Sequence, residues 1–125
     1  MNRVEFRDCK LLGTDFSHSK IQHTSFQDCI GHYSNFRFAE FKQVSFNSCS
    51  LVHSDYYQSK NKLNLDFSNC DINKASLSGL KLKGIDLSDC QFEELLVESE
   101  DLEGCTIAPH HASSLIGLLG INIKY

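Results

Sequence analysis

Six cysteines, six histidines and numerous serines are the residues of this 125-residue chain whose chemistry could build a site. Structural zinc takes cysteines in pairs two to four residues apart. Cys9, Cys29, Cys49, Cys70, Cys90 and Cys105 form no such pair. His110 and His111 are adjacent, His18 and His23 lie on outward positions, and all four read as solvated surface histidines. The serines sit in no G-x-S-x-G, and neither an H-E-x-x-H nor a phosphate-binding glycine loop occurs. These patterns argue against an enzyme, a metal and a cofactor. An even number of cysteines in a short chain is also what a disulfide scaffold shows, and only the elements that carry them can decide that point.

Those elements follow a period of five. Large hydrophobes recur at Phe6, Leu11, Phe16, Ile21, Phe26, then Phe36, Phe41, Phe46, Leu51 and Tyr56, with Gly31 in the gap. After a slip of one residue the beat resumes at Phe67, Ile72, Leu77, Leu82, Leu87, Phe92, Val97, Leu102 and Ile107. This is neither the period of 2 of a strand nor the 3.6 of a helix; it marks a repeat architecture. Two residues before each beat runs a column of mostly small residues, and all six cysteines fall in it. Phe6, Phe26 and Phe46, like Cys9, Cys29 and Cys49, are 20 apart, which suggests a coil that turns four corners per 20 residues. Stacked coils would set successive cysteines about 4.8 Å apart, yet with parallel side chains. The repeat begins directly after Met1, with no signal peptide, so a reducing, cytoplasmic setting is expected. The cysteines therefore read as small buried hydrophobes.

The units Thr14-Asp15-Phe16-Ser17, Ser34-Asn35-Phe36-Arg37, Cys70-Asp71-Ile72-Asn73 and Ile85-Asp86-Leu87-Ser88 resemble the A-(D/N)-L-x-x unit of pentapeptide-repeat proteins. The resemblance covers about residues 4–107. It implies an all-β fold, a right-handed quadrilateral parallel β-helix of about five coils, for residues 1–107, followed by a short C-terminal helix and strand over 108–125. Segments from Leu82-Lys83-Gly84 to Gly120-Ile121 are similar to the end of quinolone-resistance (Qnr-type) members, as is the stretch Asn35–Phe41 to Gram-positive ones. That resemblance implies a cytoplasmic, non-enzymatic homodimer. Its partner would be DNA gyrase or topoisomerase IV, engaged by imitating duplex DNA, with protection from fluoroquinolones. This chain matches only about the last three-fifths of such a protein and has no large loop. A scaffold for another protein–protein interaction, through outward Tyr33, Phe38 and Tyr57, and a shortened member without that activity stay open as alternatives.

The slip between Tyr56 and Phe67 reads as a one-residue bulge. Pro109 suits the first turn of a helix, and Ala112, Leu115, Ile116, Leu118 and Leu119 make one apolar face. Gly120 would stop this helix before a short strand, Ile121-Asn122-Ile123, although Ala108 is a poor N-cap. A dimer through Ala112, Leu115, Ile116, Leu119, Ile121 and Ile123 would bury the surplus apolar surface.

The net charge of −4 is uneven. Residues 86–103 hold eight acids and no base, and Asp86, Asp89, Glu93, Glu94, Glu98, Asp101 and Glu103 fall on outward positions. They are the candidate partner-binding surface, presented to a protein that binds DNA phosphates. Direct nucleic-acid binding is disfavoured by the same acids, and no stretch suits a membrane span. Glu100 occupies a nominally inward position, where an unpaired charge is costly, so the coil is expected to open there.

Overall fold

A computed structural model describes residues 2–119 and Lys124. Parallel strands stack into a solenoid of about 5 turns, with one short helix at the C-terminal end. Strands β1 (Asn2–Arg7), β2 (Lys20–Gln27), β3 (Glu40–Asn47) and β4 (Lys60–Ser68) form one sheet in sequence order. The two-residue strands β5 (Ala75–Ser76) and β6 (Leu95–Leu96) pair further along. Single bridges complete the remaining sides, among them Lys10 to Ile30 to Ser50 to Asp71 to Gln91, and Asp15 to Asn35 to Asp55.

Each five-residue unit makes one side of the coil. Its small and large residues point inward, the residues flanking the large one point outward, and the fifth turns the corner. Side 1 is centred on Phe6, Phe26, Phe46, Phe67 and Leu87, and side 2 on Leu11, Gly31, Leu51, Ile72 and Phe92. Side 3 is centred on Phe16, Phe36, Tyr56, Leu77 and Val97, and side 4 on Ile21, Phe41, Asn61, Leu82 and Leu102. Corner residues such as Asp8, His18, Tyr33, Phe38, His53 and Lys74 take left-handed φ values between 54° and 61°. That conformation costs a non-glycine residue on the order of 1 kcal/mol or more, and it is offset by the backbone hydrogen bonds to the neighbouring coil.

The core is a set of ladders. Phe6, Phe26, Phe46 and Phe67 stack with ring centroids 4.9, 4.6 and 5.1 Å apart. Phe16, Phe36 and Tyr56 form a second column, edge-on to the first, a favoured aromatic arrangement. Gly31 interrupts the column on side 2 because a side chain there would meet Leu51 Cδ2 at 3.1 Å. The expected cysteine packing holds for Cys29, Cys49, Cys70 and Cys90, which are buried and unbridged, while Cys9 and Cys105 in the end coils are half-buried and also unbridged. Their thiols donate to the carbonyls of Phe6, Phe26, Phe46 and Phe67 in the preceding coil, at 3.2–3.6 Å. Burial pushes the Cys90 and Cys105 thiols up to about 11.

The slip is a bulge. Phe41 pairs with Asn61 and Lys42 with Leu63, so Lys62 is the extra residue. Asn61 stands where a large hydrophobe would, and its side-chain oxygen accepts the Leu65 N–H at 3.2 Å.

At the C-terminal end a 3-10 turn, Pro109–His111, leads into α1 (Ala112–Ile116) and a second 3-10 turn, Gly117–Leu119. Here the histidine reading needs correction. His110 is exposed, but His111 is only 1% exposed. Its ring stacks on Phe92 at 4.2 Å, and its Nε2 lies 2.9 Å from the Cys90 carbonyl. Its Nδ1 accepts the Ala108 N–H at 3.1 Å, the reciprocal half of a capping box. The weak cap at Ala108 is thus relieved from inside the helix. The expected stop at Gly120 and the strand Ile121–Ile123 lie outside the described residues.

Candidate functional site: charged sides of the coil

The A-(D/N)-L-x-x spacing has a local cause. At five units the Asp or Asn before the large residue accepts the N–H of the residue after it. Asp15 does so for Ser17, Asn35 for Arg37, Asp55 for Tyr57, Asp71 for Asn73 and Asp86 for Ser88, at 2.8–3.0 Å. The Ser17 and Ser88 hydrogen bonds hold the Asp15 and Asp86 carboxyls below their usual range. The repeat aspartates are therefore structural as well as charged.

The acidic stretch 86–103 is almost one full turn, so its side chains are distributed around the rod. Asp86 and Asp89 lie on side 1, Glu93 and Glu94 on side 2, Glu98 on side 3 and Glu103 on side 4, all exposed. Side 1 brings Asp86 and Asp89 together with Asp66 around one shallow concavity. By register it also carries Glu5, Asp8 and Asp28 in the earlier coils, against a single base, Arg7. Charges distant in sequence form this column, and the period of 20 is the signal that relates them.

Asp101 is a correction: it is not outward but 2% exposed. A 3-10 turn over Ser99–Leu102 displaces the chain by one residue. The Asp101 N–H, rather than that of Glu100, donates to the turn carbonyl, that of Glu98. Glu100 is consequently exposed and Asp101 takes the inward place. One Asp101 oxygen accepts the Gly79 N–H at 2.9 Å and the other lies 3.0 Å from Lys81 Nζ. The left-handed φ of +84° at Gly79 aims that N–H. A buried carboxylate thus finds the partners it requires.

Side 4 carries the opposite charge. Lys20, Lys42, Lys60, Lys62, Lys81 and Lys83 all flank its central column and are exposed. The acids on that side are Glu40, 3.6 Å from Lys62, the buried Asp101, and the exposed Glu100 and Glu103 of the last coil. The outward aromatics gather elsewhere. Phe38 stacks on His18 at 5.0 Å and meets Tyr57 edge-on, and Arg37 lies 4.8 Å over the Tyr57 ring. Tyr33 stacks on His53 at 4.7 Å.

Of the candidate dimer residues, Leu115 is buried against the last coil. Ala112 is exposed and Ile116 half-buried, and both line an open apolar groove with Leu102, Cys105, Ile107 and Leu118. The Leu119 side chain, Ile121 and Ile123 lie outside the described residues. Among the described residues no cluster of His, Cys, Asp or Glu is arranged to hold a metal ion. No helix among them is long and apolar enough to cross a membrane.

Residues 1–63 match the family described as pentapeptide repeat region, and residues 63–92 match pentapeptide repeats (8 copies). The chain belongs to the pentapeptide-repeat family. This pentapeptide-repeat chain is 33% identical over 120 residues to the uncharacterized protein YisX of Bacillus subtilis (strain 168). The match covers 96% of this chain and 56% of that relative. Among solved structures it is similar to HetL, a protein involved in heterocyst differentiation regulation in Nostoc sp. strain PCC 7120. That match has a TM-score of 0.66 at 12% identity and covers 86% of this chain and 40% of HetL, which supports the fold alone. QnrB1, a plasmid-mediated fluoroquinolone resistance protein, matches at a TM-score of 0.44 and 18% identity, covering 97% of this chain and 99% of that one. A superposition that loose supports no functional argument.

Proposed function

We propose that this pentapeptide-repeat chain is a non-enzymatic partner of a type II topoisomerase, DNA gyrase or topoisomerase IV. It engages the enzyme's DNA-binding surface by imitating duplex DNA and shields it from fluoroquinolones. The sequence resemblance of its C-terminal segments to Qnr-type proteins motivates the reading. The observation that carries it is the acidic column on side 1, where Glu5, Asp8, Asp28, Asp66, Asp86 and Asp89 recur along one face of a regular rod. A surface that binds DNA phosphates attracts such a column over a Debye length of about 8 Å at physiological ionic strength. A homodimer joined at its C-terminal ends would double the length of the column.

The test is gyrase supercoiling with added protein, with and without a fluoroquinolone, beside direct binding at rising salt. Binding should weaken steeply with salt and be competed by duplex DNA. Converting Asp28, Asp66 and Asp89 to Lys should abolish it with the circular dichroism spectrum unchanged. The same reversal at Glu93, Glu94 and Glu98, which lie on sides 2 and 3, should weaken it less. Binding that ignores salt and both reversals overturns the mimicry and favours the aromatic surface around Arg37, Phe38 and Tyr57, the scaffold reading that the stacking there supports. No effect on either enzyme overturns the topoisomerase reading itself.

A further inference from the structure

The acidic balance of the chain argues against nucleic-acid binding only if the charge is evenly spread, and the coil separates it by side. We infer that side 4 is a docking surface for the phosphodiester backbone of a nucleic-acid duplex. Its lysines stand in two columns. Lys20, Lys60 and Lys81 precede the central inward residue of their coils, Lys42 and Lys83 follow it, and Lys62 is added beside that second column by the bulge. The columns are separated by about two strand rises, ~6.6 Å, and successive coils by ~4.8 Å. The six ammonium groups therefore cover a face roughly 14 Å tall over four coils. Along that height a duplex carries roughly eight phosphates, one per ~1.7 Å of axis.

Lys62 lies within reach of Glu40 and Lys81 within reach of Asp101. Lys42, Lys60 and Lys83 have no carboxylate within ion-pair distance among the described residues. The bulge adds to the surface. It inserts Lys62, which with Leu63, Lys20 and Lys42 lines a shallow concavity that also holds Glu40. Against scattered carboxylates such lysines would make only single exposed ion pairs, each of them weak. A duplex differs because each phosphate neutralised releases condensed counterions. No exposed aromatic of the Tyr33, Phe38 and Tyr57 group lies on side 4, so the stacking platform of single-strand binders is missing. The contact would therefore be to the backbone of a duplex and indifferent to its sequence.

The experiment is fluorescence anisotropy of a labelled 20-base-pair DNA duplex titrated with the full chain from 50 to 200 mM salt, in the absence of any topoisomerase. Three phosphate contacts predict a slope of log K against log salt of about −2.7, a loss of roughly 40-fold over that range. Lys42→Glu, Lys60→Glu and Lys83→Glu together should abolish binding, and the Gln versions should reduce it and flatten the slope. Asp66→Lys with Asp89→Lys, on side 1, should leave it intact or strengthen it. Absence of binding at 50 mM salt overturns the inference. So does a lysine triple variant that binds like the wild type, or lysine-dependent capture by phosphatidylglycerol vesicles without duplex binding. Because the assay contains no topoisomerase and the lysine variants spare side 1, its failure is distinct from failure of the proposed function.

Discussion

At the scale of single residues, the register divides the chain into positions that matter for stability and positions that do not. Phe46 is buried between Phe26 and Phe67, whereas Asn47 beside it is exposed. Phe46→Ala should cost about 3–5 kcal/mol through the cavity it leaves, and Asn47→Ala under about 0.5 kcal/mol, measured by urea denaturation. Equal costs at the two sites would contradict the register. Tyr56 offers a sharper contrast. It fills the side 3 ladder but buries its hydroxyl with no hydrogen bond of good geometry among the described residues. Tyr56→Phe should therefore be neutral or stabilising, since it removes an unsatisfied polar atom while keeping the ring. Burial also holds the Tyr56 hydroxyl and the Cys90 thiol well above their ordinary ranges. Groups whose proton is held more tightly in the folded state contribute stability that is full below the unfolded pKa. For Cys90 that stability is lost as pH rises from the ordinary thiol value of 9.0 towards about 11, because the unfolded chain releases the proton first. Denaturation midpoints should fall from about pH 9, and Cys90→Ala should lessen that fall.

At the scale of elements, the end of the coil depends on one residue read wrongly from the sequence. His111 closes the core over Phe92 and holds both the Ala108 N–H and the Cys90 carbonyl. Adjacent histidines next to a proline look like surface, and nothing local marks one of them as inward. Only the docking of the Pro109–His111 turn under the last coil buries the second. His111→Ala should cost about 2–4 kcal/mol, from two unsatisfied groups and a lost ring contact. It should also raise hydrogen-exchange rates across 108–119 more than in β2 and β3. Uniform exchange along the chain would show that the cap is not a separate element. The Ser99–Leu102 turn is a similar case. The five-residue beat placed Glu100 inside, and a one-residue shift at that corner substitutes Asp101, whose shorter side chain reaches Gly79 and Lys81.

At the scale of the molecule, the rod has two charged sides and an apolar groove at its C-terminal end. Leu115 is already packed within its own chain, so the accessible apolar positions at that end are the half-buried Ile116 and the exposed Leu118. A two-fold contact there predicts a dimer at micromolar concentration by analytical ultracentrifugation. Ile116→Asp with Leu118→Asp should give a folded monomer with an unchanged circular dichroism spectrum. A wild type that sediments as a monomer overturns the dimer. Leu115→Asp should instead destabilise the fold itself, through a buried unpaired charge.

The repeat, the inward columns, the cysteine packing, the bulge and the helix near Pro109 were all legible in the sequence. Each rests on a strict period of five and on short-range stereochemistry such as the Asp15-to-Ser17 hydrogen bond. What only the tertiary structure decided is which charges share a surface. Residues 86–103 look like one acidic cluster along the chain, but a coil of 20 residues carries neighbours in sequence to different sides. It brings together Asp28, Asp66 and Asp86 on one side and Lys42, Lys60 and Lys83 on the next. Proximity along a solenoid is set by the number of residues per turn: a single slip such as Lys62 re-phases everything that follows, whereas the shift at Asp101 exchanges two neighbours and leaves the beat at Leu102 intact.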